Sequence, residues 1–180
     1  CFLACKTHQR DAEGAREELE QSLQYLRTDH FDLYQLHALT TEEDVEQVFA
    51  PGGAMETFAA AREEGKIRFI GFSAHSEDAA CMAMDRFDFE SVLFPQNVVC
   101  HQQANFGPRV IEKAQQKNVA RLALKAMAWT RVPEGEDKPY PHCWYQPADD
   151  PELADLALRY TLDLPITAAV PPGDKQLFRM

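Results

Sequence analysis

The sequence predicts an α/β fold, an incomplete (β/α)8 TIM barrel, on three observations. Short apolar runs alternate with segments of helical period, the pattern of a parallel sheet with crossover helices. Several runs end in a reactive polar side chain: Lys6 after FLAC, His37 after FDLYQL, Ser73 and His75 after IRFIGF, and Lys125 after LAL. The chain holds six βα units in its 180 residues, whereas a complete eight-fold barrel needs ~250. It opens in mid-strand and closes in mid-helix. It is therefore read as a single partial-barrel domain over 1–180, without the first two strands and the C-terminal helices. Parallel sheets gather chemistry at the carboxyl ends of their strands, so Lys6, His37, Ser73 and Lys125 are expected to face one pocket.

Residues 2–6 are the first expected strand. Ala15, Leu19, Leu23 and Leu26 recur at helical spacing and predict an amphipathic helix over 14–27. Asp29 and His30 form a turn before the second strand, FDLYQL. Thr41 with Asp44 three places on resembles a capping box for a helix over 41–50. Pro51-Gly52-Gly53 breaks it, and a further helix runs from about Ala54 to Glu64 with Gly65 at its C-terminal cap. IRFIGF is the third strand, Ser76 caps a short helix, and residues 91–96 are the fourth strand. Pro108 starts a helix reaching Asn118, followed by a strand over 119–124. A long acidic, Pro-containing loop over 129–149 carries Tyr140, Trp144 and Tyr145, the last two read as loop packing. Loops of this length inside a domain usually serve a function or cover something. Asp150-Pro151-Glu152 opens a helix with Pro in its first turn, residues 166–170 form the sixth strand, and a last helix begins at Lys175.

Composition narrows the function classes. Hydrophobic residues make up 45% of the chain, an ordinary globular share. No apolar run approaches the ~20 residues that span a bilayer, and no signal-peptide pattern is visible. The net charge of −11 disfavours nucleic acid and anionic membranes, which bind basic faces. A cytoplasmic protein is the expectation. Five widely spread cysteines without a CxxC pair argue against a zinc knuckle or iron–sulfur run and read as buried thiols in a reducing compartment. The acidic helix faces (Glu17, Glu18, Glu20; Glu42, Glu43, Asp44) are expected to be solvated surface.

Four segments, in order, carry a resemblance: ACKT at the first strand end, SLQYLRTDHFDLYQLH, GKIRFIGFS, and AAVPPGD. Together they resemble the aldo/keto reductase superfamily. The resemblance implies a (β/α)8 barrel that reduces aldehydes and ketones with a nicotinamide cofactor, NADP first and NAD as the second choice. It also implies a catalytic Asp, Tyr, Lys and His. Lys6 matches the lysine and His37 the histidine. The Asp and Tyr belong to the unit ahead of the first strand here, and neither Tyr25 nor Tyr34 lies in the matching motif. The expected substrate is a small-molecule carbonyl compound.

The same resemblance implies cofactor contacts. Ser73 matches a serine that touches the nicotinamide carboxamide, although Ala74 follows where many members have Asn. Gln96 or Asn97, with Gln96 preferred, matches the next carboxamide contact. Lys125 stands where many members have a stacking tyrosine and suits a pyrophosphate oxygen. Gly173 and Lys175 match the loop holding the adenosine phosphates, with Asp174 an odd neighbour for phosphate. Two alternatives stand beside this reading. His37, His75 and His101 could be metal ligands of a barrel hydrolase assisted by Lys125. The chain could instead be an inert cofactor-binding or regulatory relative.

Overall fold

The computed structural model describes residues 1–133, 135 and 138–180. Three acidic members of the long loop, Glu134, Glu136 and Asp137, lie outside the described residues. The chain divides into two compact units, residues 1–93 with 113–120, and residues 94–112 with 121–180.

The first unit opens with β1 (Ala4–Thr7), which pairs in parallel with β2 (Phe31–Leu39), Lys6 lying opposite Gln35. Helix α1 (Ala12–Leu26) connects them. The Asp11 side chain caps it by accepting from the Gly14 N–H, and Arg27, left-handed at φ 52°, ends it. Ala15, Leu19 and Leu23 are buried as their spacing predicts, but Leu26 is 56% exposed. The helix closes at this point in its left-handed cap, and the fourth apolar position stays outside the core.

Helices α2 (Glu42–Phe49) and α3 (Ala54–Glu63) follow. The Thr41–Asp44 capping box forms with both of its bonds, and Gly65 adopts φ 75° just past α3. Strand β3 (Ile67–Ala74) pairs in parallel with β2, and β4 (Ser91–Pro95) begins beside β3 with Ser73 opposite Leu93. Ser76 caps α4 (Glu77–Arg86) between them. β2 is buried on both faces, as parallel strands are. On its helix side Tyr34 packs 5.0 Å from Phe58 of α3 and 5.8 Å from Phe31, centroid to centroid. On the other side the Gln35 amide donates to the Ser91 hydroxyl at 3.3 Å. Gly71 leaves room for that contact, since a Cβ there would lie 2.2 Å from the Ser91 oxygen.

In the second unit the Gln96 N–H donates to the Leu124 carbonyl at the end of β5 (Ala120–Leu124). β5 in turn pairs in parallel with β8 (Ala168–Ala169). β8 is shorter than the expected 166–170 run, yet hydrogen bonds from Thr167 to Arg121 and from Val170 to Ala123 carry the ladder on both sides of it. Helices α6 (Pro108–Gln116), α7 (Pro151–Asp163) and α8 (Lys175–Arg179) stand where the sequence places them. Two features lie outside the sequence reading. Helix α5 (Val98–Ala104) fills the gap after β4, and β6 (Ala128–Thr130) pairs antiparallel with β7 (Gln146–Pro147) across the long loop. Both are too short to show a period. Within that loop Tyr145 packs as expected, its hydroxyl pushed up to about 12 by burial. Trp144 does not: it is 82% exposed, with the Lys138 ammonium 4.6 Å over its ring.

Candidate active site

At the carboxyl end of the strands of the first unit, Lys6, His37 and Ser73 converge. Lys6 is the third residue of β1, and His8, two residues on, extends from the same edge. The His8 ring lies 3.9 Å from the His37 ring. His37 does not follow the strand, as FDLYQLH suggested, but lies inside β2, immediately before a bulge. Ala38 makes that bulge with φ 54°. Its N–H donates to the Ser73 hydroxyl at 2.8 Å. Ser73 is 2% exposed and thus ties β3 to the bulge. The following helix is capped by Ser76, as expected, its hydroxyl accepting from the Ala79 N–H at 3.2 Å.

The electrostatics follow from this crowding. Burial lowers His37 to about 4, helped by charge from His8, Lys6, His75 and Arg10. At pH 7 the imidazole is therefore neutral and keeps one N–H to donate. Lys6 is lowered from the ordinary lysine value, chiefly by burial, although its residue surface stays exposed. Tyr34 is wholly buried in the aromatic core, and that burial raises its hydroxyl well above the tyrosine range. Tyr25 is 77% exposed on α1. Neither tyrosine has the environment of a proton donor.

The His37 shift has a signed consequence. Its folded pKa lies below its unfolded value, so between these two values the unfolded chain binds more protons. Stability is full near neutrality and falls as pH drops from about 6.5 through 4. A proton NMR titration should show the His37 ring protonating near 4, with the His37→Gln variant losing this part of the acid sensitivity. A ring titrating at the ordinary histidine value would contradict the burial argument.

His8 and Arg10 are missed by the sequence reading, although the spacing CKTHQR carries a signal: alternate residues leaving a strand share a face. Glu18 and Asp44 also depart from expectation. Glu18 accepts from the Thr7 hydroxyl at 2.5 Å, the His8 N–H at 3.3 Å and the Gln9 amide at 2.9 Å. Asp44 accepts from the Thr40 and Thr41 N–H groups and from Arg10. Burial opposes ionisation of Asp44, but these donors prevail and hold it at about 2. The two carboxylates brace the strand-end loops instead of facing bulk water.

In the second unit the Gln96 side chain is fully buried, and neither its amide nitrogen nor its amide oxygen has a partner. Gly107, at φ 113°, lies directly against it: a Cβ there would be 1.9 Å from the Gln96 oxygen. The neighbouring Asn97 has its amide in use, accepting from the Cys100 N–H at 2.8 Å to cap α5 and donating to the Lys125 carbonyl at 3.1 Å. Lys125 ends β5 in the left-handed region at φ 62°. Gly173 and the exposed Lys175 lie on the turn after β8. There the Asp174 carboxylate caps α8, accepting from the Gln176 and Leu177 N–H groups. An apolar cavity of about 280 Å³ opens beside this turn, lined by Met127, Tyr145, Pro171, Leu177 and Phe178 among others. His101 bonds the Tyr160 hydroxyl through Nδ1 at 2.5 Å. Among the described residues no group of three or more His, Cys, Asp or Glu side chains is placed to hold a metal ion. No helix among them is long and apolar enough to cross a membrane.

Polar side chains gathered at the carboxyl ends of parallel strands, on an α/β scaffold, define a protein of the incomplete (β/α)8-barrel class. Residues 3–170 match the aldo/keto reductase family model, and the chain belongs to that family. Over 59 residues it is 37% identical to the Bacillus subtilis (strain 168) protein named "Uncharacterized oxidoreductase YqkF", covering 33% of this chain and 17% of that one. It superposes on the holo form of the aldo-keto reductase AKR11C1 from Bacillus halodurans with a TM-score of 0.66 and 22% identity, covering 94% of this chain and 62% of the other. For the glycerol dehydrogenase AKR11B4 from Gluconobacter oxydans the TM-score is 0.62, the identity 16%, and the coverage 93% and 62%. These likenesses to solved structures show the fold, an incomplete (β/α)8 barrel. The chain spans less than two thirds of the length of each of these relatives.

Proposed function

We propose that the protein of which this chain is part reduces aldehydes or ketones to alcohols, with Lys6 and His37 in the catalytic group. The observation that carries the proposal is the placement of His37 in β2 before the bulge, its ring 3.9 Å from that of His8, where burial and the nearby Lys6 charge favour the neutral imidazole. A neutral ring can donate its N–H to a carbonyl oxygen and orient it, and it strengthens that bond as charge develops there. The Lys6 ammonium favours the anionic form of a neighbouring phenol, which makes a tyrosine placed against it a better proton donor near pH 7. A nicotinamide cofactor, when bound, supplies the hydride.

The residues present fit that cofactor at its nicotinamide end. A carboxamide offers N–H donors and a carbonyl acceptor, the complement of the unpartnered Gln96 oxygen and nitrogen. In the first unit Ser73, with its oxygen accepting from Ala38, keeps its hydroxyl proton to donate. Asn97 supports the site through its bonds to Cys100 and Lys125. Lys125 and Lys175 are the cations for the phosphates, and Gly173 lets the chain approach them. Asp174 already takes two of the N–H groups of α8, so the phosphate contacts rest on the lysines. We take NADPH as the cofactor and NADH as the second choice.

The test is spectrophotometric. With its barrel complete, the protein should oxidise NADPH in the presence of an aromatic aldehyde, and the same assay with NADH ranks the two cofactors. Absence of aldehyde-dependent oxidation with either one overturns the proposal. Gln96→Leu should weaken cofactor binding about tenfold, the loss of one to two hydrogen bonds at ~1 kcal/mol each. It should leave the cofactor-free protein as stable or more so, because an unpaired buried amide is itself destabilising. Titration of cofactor fluorescence and thermal unfolding read the two effects separately. A Gln96→Leu variant with parental affinity would remove Gln96 from the site.

A further inference from the structure

We infer that Arg10 is a positioning residue for His37, holding the backbone of the two residues that flank the imidazole. The inference rests on the reading of His37 given above and extends it to a residue outside the family motif.

Arg10 lies on the loop after β1, 28 residues from Ala38 and 34 from Asp44 in sequence. Its guanidinium makes three bonds in different directions. Nη2 donates to the Ala38 carbonyl at 3.0 Å, Nη1 to the His8 carbonyl at 3.2 Å, and Nε to the Asp44 carboxylate at 3.1 Å. Ala38 is the left-handed residue that directly follows His37. An alanine is unfavourable there and stays only where its surroundings hold it. Its N–H is held by Ser73 and its carbonyl by Arg10. His8 carries the ring that lies against His37. One planar fork thus fixes both the peptide behind the imidazole and the residue that covers its face.

The anchor of the fork is also rigid. Asp44 is the third residue of α2 and completes the capping box with Thr41. It further accepts from the Thr40 N–H and hydroxyl, each at 2.8 Å. Both partners of the ion pair are largely shielded, at 19% and 21% side-chain exposure. The arrangement connects the N-terminus of α2 through Arg10 to the bulge of β2. A lysine could keep the charge but has a single nitrogen and cannot reproduce the fork. The charged or titratable groups around His37 are Lys6, His8, Arg10 and His75, with Asp44 and Glu18 bonded to Arg10 and to the His8 backbone respectively.

The test uses the protein with its barrel complete and compares Arg10→Lys, Arg10→Gln and His37→Gln. Arg10→Lys should lower kcat roughly ten- to hundredfold, the size expected when a catalytic group is displaced by about an ångström. NADPH affinity should stay within twofold, and the His37 ring resonance should shift. Arg10→Gln should in addition raise the pKa of His37, because a nearby cation is removed. If Arg10→Gln does not fold, Arg10→Lys decides alone. Parental kcat and an unmoved His37 resonance in Arg10→Lys overturn the inference. Parental kcat in His37→Gln overturns instead the assignment of His37 to catalysis, an outcome that the ring resonance of the Arg10 variants keeps separate.

Discussion

Lys6→Met should abolish carbonyl reduction, with kcat falling about 10²- to 10⁴-fold, the range that acid–base catalysis supplies, while NADPH still binds. The methionine side chain keeps most of the length of lysine and its apolar stem, so the strand end keeps its shape. What disappears is the cation. Two effects on the site follow with opposite weight. A proton-donating phenol placed beside position 6 loses the charge that lowers its pKa, so it donates poorly near neutrality. His37 loses one of the charges that depress it, and its pKa rises from about 4. Its partial burial keeps the ordinary histidine value of ~6.5 as the upper bound of that rise, so the imidazole remains largely neutral at pH 7 and continues to orient the carbonyl. The defect should therefore sit in proton transfer, and raising the pH should not restore it. Stopped-flow kinetics with NADPH, together with the affinity for NADPH measured without substrate, give both numbers. A Lys6→Met variant that turns over at the parental rate would falsify the assignment of Lys6.

Phe58→Ala should be the most destabilising single change in the first unit, at about 3–5 kcal/mol. Phe58 is wholly buried on α3, and its ring contacts that of Tyr34 at 5.0 Å. Removing it deletes the side chain and leaves a void that Tyr34 cannot fill, since Tyr34 is held in turn by Phe31 and by its own strand. For a chain of this size such a loss lowers Tm by roughly 6–20 °C, a large share of the ~5–15 kcal/mol that holds a domain together. Tyr25→Ala is the matched control: the ring is 77% exposed, and its loss should cost under ~0.5 kcal/mol. Circular dichroism melts of the two variants compare them directly. Equal melting temperatures would mean that the α3–β2 contact does not carry the core.

Much of the scaffold is legible in the sequence for reasons that are local. Thr41 and Asp44 form their capping box because both partners lie within one helical turn. Ser76 and Asp150 cap α4 and α7 for the same reason. The FDLYQL and IRFIGF runs become parallel strands because apolar residues on both faces need cover on both sides. Legibility fails where length or distance enters. Helix α5 and the β6–β7 pair are too short for a period to show. Asp44 reads as surface in the sequence because its cation lies 34 residues away, and Glu18 because its donors stand at the end of β1 and just after it.

The candidate site divides along the same line. The order of residues along the chain is enough to find the polar groups that close the apolar runs, Lys6, His37 and Ser73 in the first unit and Gln96 and Lys125 in the second, because period and motif order are local properties. Their environments come from folding. It put His37 inside β2 before a left-handed Ala38, laid His8 against its ring, and braced the bulge with Ser73 and Arg10. It also separated Gln96, buried with a free amide, from Asn97, whose amide is spent on a helix cap. Burial, bond satisfaction and charge proximity depend on residues brought close by folding, and no spacing along the chain encodes them.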